Sequence, residues 1–281
     1  MPNAGKSTFL NAVLGERLVI TNPKAQTTRH RIKGILSSDN YQLVFSDTPG
    51  IIKEAAYKLQ SAMSSAVDQS LEDADVVLFM LDGQYPKSEE FNSYIENINV
   101  PIVVALNKVD LIQDQETLEK TLIEVKEHFK TDYVFAISAK EKFNIDGIVS
   151  TLVSLAPEHP AFYDKDILTD ESTRFLVSEM IREHILSFYR KEIPYSTEVT
   201  VTDYKEHKNL DKIYATIYVE RDSQKSIILG QKGMAIKKLG IASRERIEQF
   251  IGKKVFLSLT VKVRKDWRKD DTQLKNFGYI K

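Results

Sequence analysis

The chain has no cysteine. This excludes a disulfide framework and any thiolate metal site, and it suits a reducing compartment. Histidine is scarce too: the five copies, His30, His128, His159, His184 and His207, share no metal-ligand spacing. No run of about 18 apolar residues occurs, so no stretch reads as a membrane-spanning helix. No internal repeat and no low-complexity segment is visible. Nor is a signal peptide, because the first residues already lie inside a motif. Net charge is nearly absent, at −1.

That small net charge hides an asymmetry. Residues 1–164 hold 15 Lys and Arg against 23 Asp and Glu, a net of −8, whereas residues 165–281 hold 24 against 17, a net of +7. The basic residues are densest over 221–281, with 16 basic and 6 acidic side chains. Two parts of opposite sign point to two domains with different partners. A length of 281 residues with 42% hydrophobic content can supply two cores. A basic C-terminal part is the electrostatic footprint for a nucleic acid or an anionic membrane surface; the plainer reading is a solvated face.

The first part alternates apolar runs with helical stretches. Continuous runs at 43–45, 76–81, 102–106 and 134–137 have the pattern of strands buried on both faces. Helices are expected over 56–73, 87–98, 115–129 and 145–155. This order predicts an α/β fold with a doubly wound, mostly parallel sheet. The polar segment Ala156-Pro157-Glu158-His159-Pro160 breaks the pattern. The expected division is a first domain over 1–158, a linker over 159–170 and a second domain over 171–281. In the second, Val177, Ile181, Ile185 and Phe188 recur at helical spacing. Asp170 or Ser172 can cap that helix, and Pro194 lies past its end. Strands near 196–202 and 212–220, a glycine turn at 230–233, a helix over 234–250 and a strand over 255–263 give an α+β pattern.

Chemistry begins at the first residues. Asn3-Ala4-Gly5-Lys6-Ser7-Thr8 carries the end of a phosphate-binding loop, G-x-x-x-x-G-K-[ST], followed by a helical run. The first glycine of that pattern, and the strand before it, would precede Met1. The loop amides and the helix start form an anion nest, Lys6 can reach the β- and γ-phosphates, and the Ser7 hydroxyl can bind Mg²⁺. Three further boxes each follow an expected strand. Asp47-Thr48-Pro49-Gly50 puts a carboxylate where an α/β fold places its site; it can hold Mg²⁺ through water, and the Gly50 amide can meet a γ-phosphate. Asn107-Lys108-Val109-Asp110 offers an Asp110 carboxylate that can accept from both guanine ring N–H and amine, a donor pair adenine lacks. Ser138-Ala139-Lys140 can close over the base. Each box alone could be an ordinary loop; four in this order make a GTP site.

The order of boxes resembles the translation-factor-related small GTPases. Lys24-Ala25-Gln26-Thr27-Thr28-Arg29-His30-Arg31 and Asp47-Thr48-Pro49-Gly50-Ile51 resemble the Era family of ribosome-assembly GTPases, over Met1 to Lys281. The resemblance implies a P-loop GTPase sheet lacking its first strand, followed by a type II KH domain. It makes Gln26–His30 switch I, with His30 a switch residue, and residues 50–62 switch II. Thr27 or Thr28 would complete a Mg²⁺ shell with Ser7 and Asp47. Ras-like enzymes carry a water-orienting glutamine where this chain has Ile51, so hydrolysis is expected to be slow unaided. Asn3 matches an asparagine that coordinates K⁺ in related GTPases, so K⁺ stimulation is expected; loop geometry is the plain alternative. Lys6, Asn3, Thr28 and Gly50 would then serve catalysis.

In the basic part, Ile227-Ile228-Leu229 leads into Gly230-Gln231-Lys232-Gly233 and then a helix carrying Lys237 and Lys238. A G-x-x-G turn between an apolar run and a helix is the clamp by which KH domains grip about four nucleotides of backbone. Lys262 to Lys269 carries five basic residues among eight. Arg264, Lys265 and Arg268 could neutralise phosphates and Trp267 could stack on a base; the alternative packs Trp267 over the sheet. The resemblance further implies 16S ribosomal RNA at its 3′ end and the 30S subunit as partners. It also implies a cytoplasmic monomer and peripheral contact with the cytoplasmic face of the inner membrane. GTP would favour RNA binding and hydrolysis would release it. A rival reading is an RNA-binding KH protein whose nucleotide domain is disabled. A third expectation is that Met1 is an internal methionine, with a further strand-length segment upstream.

Overall fold

The computed structural model describes residues 3–52, 54–86 and 88–280. Met1 and Pro2 of the loop motif, Lys53 of the expected switch II and Lys87 of an expected helix lie outside the described residues. The chain divides into two compact units. One comprises Met1–Val19, Thr28–Ile51 and Ser64–Asp170; the other comprises Ile20–Thr27, Ile52–Met63 and Glu171–Lys281. The sequence reading puts the whole of 1–158 together. Instead, the two stretches expected as switches contribute residues to the second unit.

In the first unit, α1 (Lys6–Leu14) leaves a turn in which Asn3 and Gly5 have φ of 63° and 94°. β1 (Ile32–Ser37) and β2 (Gln42–Asp47) pair antiparallel, with Ile32 opposite Asp47. After α2 (Lys58–Glu72), whose residues up to Met63 belong to the second unit, β3 (Val77–Asp82), β4 (Ile102–Asn107) and β5 (Val134–Ala136) form a parallel sheet in that order. α3 (Asn92–Ile95), α4 (Gln115–Phe129) and α5 (Ile145–Leu155) lie between or after them. Alternate residues of β3 and β4 enter different apolar clusters. Met80, Val103 and Ala105 join Ala4, Phe9, Ile137 and Ile148, whereas Phe79, Leu81, Val104 and Leu106 join Phe91, Val125 and Phe129. Period-two alternation therefore buries both faces, as the continuous apolar runs require.

Three features are set against expectation: the first is what a sheet lacking its first strand implies, and the other two depart from the sequence reading. β2 and β3 lie in separate sheets, and among the described residues no strand pairs with both; Leu43, Phe45, Val76 and Leu78 all pack on the first cluster by side chain alone. The helix expected over 87–98 is a 3-10 turn, Ser88–Phe91, followed by the single turn α3, because Asn92, Asn97 and Asn99 favour local turns over a long helix. Residues 159–170 are fastened rather than free. Gln42 bonds the Phe162 amide and both the amide and the carbonyl of Tyr163 at 2.9–3.0 Å, and the Ile35 amide donates to the Leu168 carbonyl at 2.8 Å.

The second unit runs α6 (Thr173–Phe188), α7 (Ile193–Ser196), β6 (Glu198–Lys205), β7 (Leu210–Val219), α8 (Asp222–Leu229), α9 (Met234–Ile251), β8 (Lys254–Val263) and α10 (Asp271–Asn276). Ser172, not Asp170, caps α6, accepting from the Phe175 amide at 3.2 Å. β6 and β7 form an antiparallel hairpin; β8 returns parallel to β7, from Leu210 opposite Lys254 to Val219 opposite Val263. A parallel return needs a crossover, and α8, the glycine turn and α9 supply it. Among the described residues no helix is long and apolar enough to cross a membrane.

Candidate nucleotide site and nucleic-acid clamp

Three oxygens meet where α1, β1 and β2 converge. Ser7 lies in the first turn of α1, Asp47 ends β2 and Thr28 precedes β1. Ser7 Oγ donates to Asp47 Oδ2 at 2.7 Å, Thr28 Oγ1 donates to the same oxygen at 3.2 Å, and the two hydroxyls are 3.0 Å apart. Asp47 is 4% exposed, and its Oδ1 has no hydrogen-bond partner. Burial pushes the Asp47 carboxyl above its usual range, opposed by the Ser7 hydroxyl, the Lys6 ammonium and the Thr28 hydroxyl. Burial likewise lowers the Lys6 pKa, opposed by Asp47. A buried carboxylate with an unpartnered oxygen beside two hydroxyls is an all-oxygen donor set, which fits Mg²⁺. Thr27 is turned elsewhere: its hydroxyl donates to the Lys24 carbonyl at 2.6 Å. Of the two threonines, Thr28 faces Asp47.

Asn107 joins two of the boxes. Its Nδ2 donates to the Ala4 carbonyl at 2.8 Å and its Oδ1 accepts from the Ala139 amide at 2.9 Å. Gly5 fits beneath it because a Cβ there would lie 2.2 Å from Asn107 Nδ2. Lys108, at φ 66°, is held by Asp82 at 2.6 Å. Asp110 and Lys140 are exposed. Lys140 is held above the usual lysine range first by its hydrogen bond to Glu141, with the Asp110 charge adding. Ser138 is buried and its Oγ accepts from the Glu141 amide at 3.2 Å. Thr8, Thr48 and Gly50 are partly buried and Pro49 is buried. Ile51 is partly buried and packs its side chain against the Phe79–Phe129 cluster.

In the second unit the G-x-x-G turn has the backbone its sequence demands. Gly230, Lys232 and Gly233 have φ of 68°, 49° and 76°, a region L side chains rarely adopt. A Cβ on Gly230 would lie 2.5 Å from Ala235 Cβ. Gln231, Lys232, Lys237 and Lys238 are exposed around the turn, as are Arg264 and Lys265 beyond β8.

A model of the family described as 50S ribosome-binding GTPase matches residues 1–108, and one of the KH domain matches residues 192–268. The GTPase Era of Thermoanaerobacter sp. (strain X514) is 41% identical over 282 residues, covering 99% of this chain and 93% of that protein. This chain belongs to the Era family of GTPases. A chloroplastic GTPase ERA-like protein of Oryza sativa subsp. japonica is 42% identical over 285 residues, spanning 99% of this chain and 67% of that one. The crystal structure of a tyrosine-to-alanine variant of Aquifex aeolicus Era bound to GDP and AlF4⁻ aligns with a TM-score of 0.95 at 36% identity, covering 100% of this chain and 96% of that one. Era in complex with MgGDPNP and nucleotides 1506–1542 of 16S ribosomal RNA aligns at 0.94 and 35% identity, with the same coverage.

Three expected RNA contacts of this Era-family chain need correcting. Trp267 is fully buried among Leu59, Met63 and Leu274, and its Nε1 donates to the Ser196 carbonyl at 3.0 Å; its ring cannot stack on a base in this conformation. Ile228 is also fully buried and is core beneath the turn. Arg268 is spent on Glu220 at 2.5 Å and lies over the Tyr57 ring. Two residues that the sequence reading left out complete the sites: Asp82, which steadies Lys108, and Gln224, whose Oε1 accepts from the Glu220 and Arg221 amides and so starts α8. Asp82 ends an apolar run just as Asp47 does, a signal present in the sequence. Gln224 carried none.

Proposed function

We propose that this chain binds GTP with Mg²⁺, hydrolyses it slowly and binds the 3′ end of 16S ribosomal RNA on the 30S subunit, as a timed switch in small-subunit assembly. The observation that carries this reading is the Ser7–Thr28–Asp47 triangle with its unpartnered carboxylate oxygen. Residues 1–158 would form the GTPase domain, 159–170 a linker and 171–281 the RNA-binding domain. Asn3 to Thr8 would cradle the phosphates, and Asp110 with Ser138 to Lys140 would hold guanine. Ser7 and Thr28 would hold the metal directly, with Asp47 behind them. Mg²⁺, when bound, supplies charge neutralisation on the β- and γ-phosphate oxygens. Lys6 adds a second cation, Gly50 an amide at the γ-phosphate, and Asn3 a K⁺ site in the position of an arginine finger. Gly230, Gln231, Lys232, Gly233, Lys237, Lys238, Arg264 and Lys265 would line the RNA. The Era complex with MgGDPNP and 16S ribosomal RNA supports the pairing of the two ligands. A cytoplasmic monomer that touches the inner membrane peripherally completes the reading.

The test is nucleotide affinity and turnover of the 281-residue chain. Micromolar GTP binding, preference for guanine over adenine and loss of that preference in Asp110→Asn are expected. Retained GTP selectivity in the variant would count against the assignment. One observation favours a second reading, an RNA-binding protein with a disabled nucleotide domain: β2 and β3 lie in separate sheets. Micromolar GTP binding rejects it.

A further inference from the structure

Within the second unit, the segment 20–27 is fastened along α6 by polar bonds that GTP chemistry does not require. The Thr21 amide donates to Glu183 Oε1 at 3.0 Å, and Asn22 Nδ2 to Ser187 Oγ at 3.1 Å. Lys24 Nζ donates to the Leu186 carbonyl and, at 2.6 Å, to the Tyr189 carbonyl. These carbonyls close the C-terminal end of α6, where the helix dipole favours a cation. The Thr27 carbonyl accepts from Arg182, a guanidinium with no exposed surface that also forks onto Glu179 at 2.5 and 2.7 Å. Burial alone would lower the Arg182 pKa, but Glu179 raises it and keeps the group charged. The peptide immediately before Thr28 is therefore gripped by α6.

The row does not stop at the helix end. The Tyr189 hydroxyl donates to the Ile228 carbonyl at 2.9 Å. Tyr189 is 7% exposed and Ile228 is fully buried, so no solvent replaces that bond. Burial pushes the Tyr189 pKa up to about 12, which keeps the hydroxyl protonated as a donor. Ile228 is two residues before Gly230, the first glycine of the clamp. Two hydrogen bonds and a few covalent links thus run from Lys24, four residues before Thr28, to the entry of the G-x-x-G turn. Each bond satisfies a backbone carbonyl that would otherwise be unpaired at a helix end.

We propose that Lys24 and Tyr189 are positioning residues that tie the state of Thr28 to the RNA affinity of the Gly230–Gly233 turn. The proposal rests on the reading above, that Thr28 ligates the Mg²⁺ of bound GTP and that the turn grips RNA. Holding Thr28 on the metal fixes the Thr27 peptide and Lys24. Lys24 fixes the carbonyl of Tyr189, and the Tyr189 hydroxyl fixes the chain that enters the clamp. Such a coupling is reciprocal: RNA must tighten the triphosphate by the factor by which the triphosphate tightens RNA.

The experiment measures the Kd of the full chain for a single-stranded RNA of the 16S 3′ end, in Mg²⁺ with GDPNP and in Mg²⁺ with GDP. The unmodified chain is expected to bind RNA about tenfold more tightly with GDPNP, within the usual range of allosteric coupling. In Tyr189→Phe, which deletes one hydroxyl and keeps the ring, the ratio falls to near one while GDPNP affinity without RNA is unchanged. Lys24→Met loses the ratio in the same way, and the reciprocal effect of RNA on GDPNP affinity disappears with it. A merely structural role would weaken RNA binding equally in both nucleotides and leave the ratio intact; that outcome overturns the proposal alone. An unmodified chain that binds neither GDPNP nor RNA overturns the functional reading and this proposal together.

Discussion

Asn107 shows how one amide can join two loops of a site. It bonds the Ala4 carbonyl and the Ala139 amide, groups on residues that are 0% and 3% exposed. Asn107→Ala leaves both buried and unpaired, at about 1–3 kcal/mol each. A lowered urea midpoint together with weakened GTP binding is expected. An unchanged midpoint would show that other groups satisfy the loop. Asn3 carries a different prediction. Its φ of 63° suits an asparagine or a glycine, and Ile51, an apolar side chain, cannot hydrogen-bond water. Hydrolysis should therefore be faster in K⁺ than in Na⁺. Asn3→Gly keeps the backbone and deletes the amide, so it should abolish the K⁺ response; a response that survives assigns Asn3 to loop geometry. Equal rates in the two salts for the unmodified chain, with the ribosomal subunit absent and present, exclude the cation altogether.

Asp211, at the start of β7, is an element-scale joint. It accepts from Lys253 at 2.6 Å, from Tyr204 Oη at 3.0 Å and from the His207 amide at 3.1 Å, joining the β6–β7 turn to the turn before β8. The Lys253 hydrogen bond holds its carboxyl below the usual range, burial opposes, and His207 and Tyr204 add to the lowering. A carboxyl with a native pKa below its unfolded value, about 3.9, stabilises the fold above that value and loses this contribution as pH falls through the native pKa. The chain should lose stability below about pH 4, and Asp211→Asn should be weaker at neutral pH but flatter in acid. Urea midpoints across that range decide it; parallel curves would reject the joint. Elements such as β3 and β4 were legible because burial on both faces leaves an unbroken apolar run. β1 was not, since Lys33 and Gly34 interrupt Ile32, Ile35 and Leu36. α8 was hidden because Asp222 to Ser226 is polar and its start depends on Gln224 folding back. The nucleotide boxes were legible because backbone turns and phosphate chemistry demand particular residues at fixed spacing. Trp267 was ambiguous because sequence shows that an aromatic sits among cations, not which side of the chain is covered.

At the scale of the whole molecule, the two parts of opposite charge make different demands on salt. Residues 221–281 carry 16 basic and 6 acidic side chains, and Lys232, Lys237, Lys238, Lys262, Arg264 and Lys265 are exposed. RNA binding through these cations releases counterions, so log K should fall linearly with log salt, by about 0.7 for each phosphate neutralised on a single strand. Lys232 is in the turn itself and has no ion-pair partner among the described salt bridges. Lys232→Ala should weaken binding to every RNA sequence alike and flatten the slope by about 0.7. Arg268 sits in the same basic run of sequence but is paired with Glu220. Arg268→Ala should leave the slope unchanged and instead lower the unfolding midpoint. Filter binding over a salt series separates the two. A slope that responds to Arg268 and not to Lys232 would move the RNA surface from the glycine turn to the end of β8.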